Sequence, residues 1–209
     1  MFPDLARDDV FHLETPRLWL RWPRAKDVTE IARLAGDVRV AGTTANIPHP
    51  YPRGAAAEFI LTARKANCDG EKLVLALTPK REPNRLIGVV EFAARPDGKL
   101  DIGYWLGTEH RGQGLMSEAI ATMVEFAFIW TDARAIEATV LEGNDASVAC
   151  LASAGFRRIS QGYAHLPARG AGLIAVERHA LTRAAWRGEE PTLPAPALGA
   201  STRGECLAC

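Results

Sequence analysis

The order of apolar patterns along the chain predicts an α/β (α+β) domain: a strand, two helices, a three-strand meander, a helix, a strand, a helix and a closing pair of strands. Three observations carry that expectation. Aliphatic runs at residues 72–77, 86–93 and 101–106 are separated by the turn chemistry of TPKREPN and Pro96-Asp97-Gly98. Leu115, Ala119, Met123, Phe126 and Trp130 recur at intervals that keep one side of a 3.6-residue helix apolar. A length of 209 residues, 47% apolar and 24% charged, suits one domain with a single core.

The elements follow in order. Residues 12–21 alternate around Leu13, Leu18 and Leu20 and are expected as the first strand. Asp27 is expected to cap a helix running to about residue 35, with Ile31 and Leu34 inward. Pro48, Pro50 and Pro52 exclude regular structure from 42–52. Helical spacing returns over 54–65 through Phe59, Ile60 and Ala63, and the meander comes next. After the helix that begins at Leu115, residues 135–141 read as a strand, and 144–154 as a short helix ended by Gly155. Residues 156–163 and 173–181 form a hairpin around HLPARGAG. A domain of residues 1–187 is thus followed by a loose tail, 188–209, with Pro191, Pro194, Pro196, Gly199 and Gly204 and no apolar periodicity.

Charge and cysteine usage narrow the partners. Lys+Arg and Asp+Glu balance at 25 each, so no overall field favours nucleic acid or an anionic membrane. No apolar run approaches the ~20 residues of a membrane span, and the acidic N-terminal stretch lacks the order of a signal peptide. A cytoplasmic protein is expected. Cys68 and Cys150 are isolated and read as reduced thiols, and Cys206 and Cys209 have no second ligand pair for zinc, so no metal is expected.

The segment from Gly107 to Gly114 carries the functional signal. Glycines at 112 and 114 let the backbone turn and approach a ligand, and the start of the following helix offers unpaired N–H groups and a positive dipole end. A phosphate or pyrophosphate is the expected occupant. No lysine follows Gly114, which excludes a P-loop, and Ser117 stands where a Rossmann fingerprint needs glycine. What fits is Arg-x-x-Gly-x-(Gly/Ala), read over Arg111, Gly112, Gln113, Gly114, Leu115 and Met116, with Met116 departing from the last position.

Here the sequence resembles the GNAT family of acetyl-CoA-dependent N-acetyltransferases. ETPRLWLR followed by Asp27, together with DIGYWL and HALTRAAW, is similar to the RimJ/RimL branch of ribosomal-protein N-terminal acetyltransferases, and the likeness spans residues 13–186. The resemblance implies a mixed, mostly antiparallel sheet of about seven strands flanked by helices. Its strand ending at Leu106 and the strand after Ala135 would run parallel and splay apart to form the acetyl-CoA cleft. It also implies a bulge at Gly103, and that the loop from Arg111 to Ser117 holds the CoA pyrophosphate.

The chemistry is attack of a neutral amine on a thioester, which needs a held cosubstrate, donors for the carbonyl oxygen, a route for the amine proton and a donor for the leaving sulfur. Backbone groups of Trp105, Leu106 and Gly107 are the expected partners of the pantetheine arm. Asn144 caps a helix with Ser147 at its third position; the resemblance puts Asn144 on CoA and Ser147 near its sulfur. Many members carry a tyrosine where this chain has Leu151, which leaves Ser147 as the hydroxyl on that helix positioned to serve. Glu91, within GVVEF, and Asp101 are the candidate bases. Strand alternation puts Asp101, Gly103 and Trp105 on one face and Tyr104 on the other. Tyr163, His165 and Arg169 are expected on the acceptor side. A protein or peptide N-terminal α-amine is the expected acceptor, with a small-molecule amine as the rival; a non-catalytic acyl-CoA-binding module is the reading from another class. A homodimer is left open.

Overall fold

A computed structural model describes residues 1–170 and 172–189; most of the expected tail, with Cys206 and Cys209, lies outside the described residues. Eight strands form one sheet in the order β1-β2-β3-β4-β5-β6-β8-β7. They are β1 (His12–Glu14), β2 (Leu18–Arg21), β3 (Lys72–Pro79), β4 (Gly88–Ala94), β5 (Leu100–Leu106), β6 (Ala135–Leu141), β7 (Arg157–His165) and β8 (Leu173–Thr182). The helices are α1 (Val28–Ala35), α2 (Val38–Ala41), α3 (Ala55–Asp69), α4 (Leu115–Trp130), α5 (Asp145–Ser153) and α6 (Arg183–Trp186). Among the described residues no helix is long and apolar enough to cross a membrane.

The eighth strand arises because residues 12–21 are not one strand. Pro16 cannot donate to a ladder. Thr15 donates its N–H to the Leu18 carbonyl at 3.0 Å and accepts the Leu18 N–H on its hydroxyl at 2.8 Å, folding β1 back on β2. Asp27 also departs from expectation. Its carboxylate does not cap α1; it accepts both Arg21 guanidinium nitrogens at 2.8 Å and the Arg24 N–H, fully buried between them.

Alternation in β3 divides the core. Leu73, Leu75 and Leu77 pack with α4 residues such as Ile120 and Met123, whereas Val74 and Ala76 join Ile31, Leu34, Ile60 and Ala63 of α1 and α3. The sheet is therefore buried on both faces over its central strands. Side chains from distant elements pin both ends of α4. At its start, Glu118 accepts the Thr15 hydroxyl and the Arg17 N–H and Nε, while Arg17 also reaches the Gln113 carbonyl at 2.8 Å. At its end, Arg183 donates to the carbonyls of Phe128, Thr131 and Ala133, a cation placed on the negative pole of the helix. The TPR and LTR motifs near the two ends of the chain thus both hold the same helix.

β5 and β6 are the only parallel neighbours among the described strands. They pair at Leu100↔Ile136 and Asp101↔Glu137 and then separate. The expected bulge at Gly103 is not found: β4 and β5 stay in register from Gly88↔Leu106 to Ala94↔Leu100. The fork comes from loss of the β6 partner. At its closed end Glu137 is buried and accepts Lys99 at 2.6 Å, Arg178 at 2.6 Å and Arg95 at 3.0 Å. Its burial favours the neutral acid, yet the Lys99 bond and the three cations outweigh it and hold the carboxyl below the usual glutamate range.

Candidate active site

A cavity of about 800 Å³ opens through the fork. Because β5 and β6 have parted, it is lined from both faces of the sheet. Ile102, Tyr104, Met116, Ala138, Val140 and Ser147 come from the α4/α5 side, and Lys72, Val89, Glu91, Gly103, Trp105 and Phe59 from the α3 side.

The glycine loop forms one wall. After β5, a single 3₁₀ turn (Thr108–His110) leads into Gly112 and Gly114, whose φ angles of 74° and 71° are left-handed values that glycine adopts without strain. Among the described residues, no partner engages the N–H groups of residues 112–117, and Glu118 N–H is the first to bond back, to Gly114. Gly112, Gly114, Leu115, Met116 and Ser117 line the cavity. Met116 turns its side chain into the core, 5% exposed, and so leaves the backbone approach clear. Arg111 spends its guanidinium on structure, donating to the Leu106 and Arg39 carbonyls at 3.3 and 3.2 Å. Gly107 and Gln113 stand behind the wall. A Cβ at 107 would lie 2.7 Å from Leu34 Cδ2, so glycine is needed there for packing.

The opposite wall is α5. Asn144 caps it, accepting the Ser147 N–H at 3.3 Å, and donates its own amide to the Thr43 carbonyl at 3.5 Å. The Ser147 hydroxyl lies 2.7 Å from the Tyr104 phenol oxygen. Burial pushes the phenol above its usual range, and the Ser147 bond pulls weakly the other way. Sequence reasoning passed over Tyr104. Its alternation was read correctly, but a site that perforates the sheet recruits both faces. His110 was also missed: it reaches the cavity, and burial lowers its imidazole against the pull of Glu109.

On the α3 side, Glu91 lies across Gly103. A Cβ at 103 would sit 3.3 Å from Glu91 Cγ and 3.4 Å from its Oε1, so glycine makes room for the carboxylate. Lys72 Nζ holds that oxygen at 3.2 Å, and Glu91 is half-buried. Asp101, the other candidate base, does not reach the cavity. It stands at the closed end of the fork, exposed and 3.3 Å from Arg95, because β5 is still paired there. Tyr163, His165 and Arg169 likewise fall outside the lining. Tyr163 points to solvent, and Arg169 donates to the Ala41 and Thr44 carbonyls at 2.6 and 2.9 Å. With Ala168 N–H on the Ala45 carbonyl, these bonds hold the proline-containing segment 43–48 across the cavity. That strap had no legible signal beyond its prolines.

Known proteins share this architecture. Over residues 17–157 the chain matches the acetyltransferase (GNAT) domain. It is 28% identical over 148 residues to an uncharacterized N-acetyltransferase, p20, of Bacillus licheniformis, a span covering 70% of this chain and 82% of that one. A ribosomal-protein-S5-alanine acetyltransferase from Vibrio fischeri superposes with a TM-score of 0.70 at 21% identity, over 84% of this chain and 98% of the other. A spermidine N-acetyltransferase from Vibrio cholerae, solved with CoA and spermine, does so with a TM-score of 0.67 at 18% identity, over 81% and 98%. At such identities the two solved structures share the fold. The domain match covers most of the chain, which belongs to the GNAT acetyltransferase family and is an N-acetyltransferase.

Proposed function

We propose that the protein transfers the acetyl group of acetyl-CoA to a primary amine, and that the acceptor is a protein or peptide N-terminal α-amine, as in the RimJ/RimL branch. One observation carries the reading: a single cavity joins the unpaired N–H groups at the start of α4 to the Glu91 carboxylate on the far face of the sheet. The donor set fits CoA. The N–H groups of residues 112–117 suit a pyrophosphate. The edge of β5 beyond Asp101, without a strand partner, suits the pantetheine amides, with Trp105, Leu106 and Gly107 at its end. Asn144 stands beside the strap over the same space.

Bound there, acetyl-CoA would supply an activated acetyl thioester. Glu91 accepts the amine proton, directly or through water, and Lys72 keeps its carboxylate turned to the cavity. Ser147 offers a hydroxyl to the leaving sulfur from the α5 wall. The acceptor enters on the α3 side past Glu58, Phe59 and Thr62. A protein acceptor is supported by the TPRLWLR and DIGYWL motifs and by the fold shared with the S5-alanine acetyltransferase. The fold shared with the spermidine enzyme supports a small-molecule amine as the second reading. A binding module without turnover is disfavoured by Glu91 and Ser147 facing one cavity. Acetyl-CoA consumption should be screened against N-terminal peptides, polyamines and amino acids. Turnover with peptides alone supports the first reading, turnover with polyamines alone the second, and CoA binding with no turnover the module.

A further inference from the structure

The phenol of Tyr104 has no place in the scheme above, and the chain carries Leu151 where a hydroxyl on α5 would face Ser147 one turn on. Tyr104 projects from β5 across the fork to α5, lines the cavity and ends 2.7 Å from Ser147 Oγ and 3.3 Å from the Ser147 carbonyl. The two hydroxyls come from elements 43 residues apart. The bond therefore ties β5 to α5 at the wall of the cavity.

We infer that Tyr104 is a positioning residue for acetyl transfer: its phenol donates to Ser147 Oγ and so turns the Ser147 hydrogen toward the leaving sulfur. The inference rests on the acetyl-transfer reading above. Direction follows from acidity. A phenol is a stronger donor than an aliphatic alcohol, and the short contact to Oγ is far better placed than the longer one to the carbonyl. Burial keeps the phenol protonated, so it remains a donor throughout the working range. No proton passes along the pair. As the carbon–nitrogen bond forms, the carbon–sulfur bond breaks with its electron pair on sulfur. The thiolate leaves hydrogen-bonded to Ser147 and takes its proton from solvent on release, while the amine proton goes to Glu91 or water. A donor that is itself receiving a hydrogen bond is strengthened, which is the gain Tyr104 provides.

The test uses Tyr104→Phe, Ser147→Ala and the double variant. Tyr104→Phe should lower kcat about five- to tenfold, the scale of one neutral hydrogen bond, with the KM for acetyl-CoA unchanged. In the Ser147→Ala background the same change should have no further effect. Independently of turnover, the thiolate absorbance of bound CoA should appear at the lowest pH in the wild type, at a higher pH in Tyr104→Phe and at the highest in Ser147→Ala, and the double variant should match Ser147→Ala. Equal kcat in wild type and Tyr104→Phe, or additive effects, or a bound thiol that titrates alike in all four proteins, overturns the inference. If the wild type binds CoA with the shifted thiol but acetylates no amine, the functional reading fails and the Tyr104–Ser147 pairing stands.

Discussion

At the residue scale, two glycines show opposite uses of the missing side chain. Gly103 is small for the sake of its neighbour, because an added Cβ would press on Glu91 Cγ at 3.3 Å. Gly114 meets only Arg17 Nη2, at 3.6 Å from an added Cβ, yet its φ of 71° is one that a β-branched residue resists. Gly114→Val should therefore destabilise the fold by about 1–2 kcal/mol and weaken CoA binding, checked by thermal unfolding and calorimetric titration; unaltered affinity would remove the loop from the CoA site. Glu91→Gln should separate binding from chemistry. CoA affinity should be unchanged, because the α4 wall is untouched, while kcat should fall about 10²-fold if the carboxylate is the base. Glu91, Ser147 and most of the loop, each in a recognisable run, line the cavity. Sequence reasoning misplaced Asp101 because alternation gives the face of a strand but not the point at which its partner strand departs.

At the element scale, the helix that begins at Leu115 was legible to within a residue, because its apolar periodicity and its glycine start agree. Residues 12–21 were not. The step of five from Leu13 to Leu18 breaks the alternation at Pro16, and the turn there depends on Thr15 bonding to Leu18. Glu137 stands at the closed end of the fork between β5 and β6, and its lowered pKa has a consequence of definite sign. A folded-state value below the unfolded one contributes stability that is fully present above pH about 4.3 and is lost as the pH falls from there through the folded value. Glu137→Gln should thus cost roughly 3 kcal/mol at neutral pH, toward the low end for a broken buried pair. Its Tm should also vary less than that of the wild type below pH about 4.3. A variant with unaltered acid sensitivity would move that titration elsewhere, to Glu118 or Glu177, which hydrogen bonds and nearby cations also hold low.

For the whole molecule, α6 is the last helix among the described residues. Thr182 caps it, Trp186 lies 5.4 Å from the Phe128 ring, and the N–H groups of Gly188 and Glu189 bond back to the Ala185 and Ala184 carbonyls. A chain ended after Glu189 should keep full acetyl transfer and the thermal stability of the full-length protein, because Arg183 and Trp186 remain to hold α4. Loss of activity on that truncation would give residues 190–209 a part in the site. The general plan was readable from motif order and periodicity. The cleft between β5 and β6 was implied by the family resemblance; its covering by residues 43–48 was not, because that depends on contacts between segments far apart in sequence, such as Arg169 with Ala41 and Asn144 with Thr43.

The two-residue pairing of β5 with β6 leaves central strands with the hydrogen-bonding state of edges. In deuterated water, the β5 amides beyond Asp101 that face β6 should exchange quickly while their neighbours, bonded to β4, exchange slowly. The sheet is in that sense one strand short, and an amide-bearing ligand is the piece that completes it. CoA should slow the fast set selectively, which would make the backbone itself a recorder of occupancy.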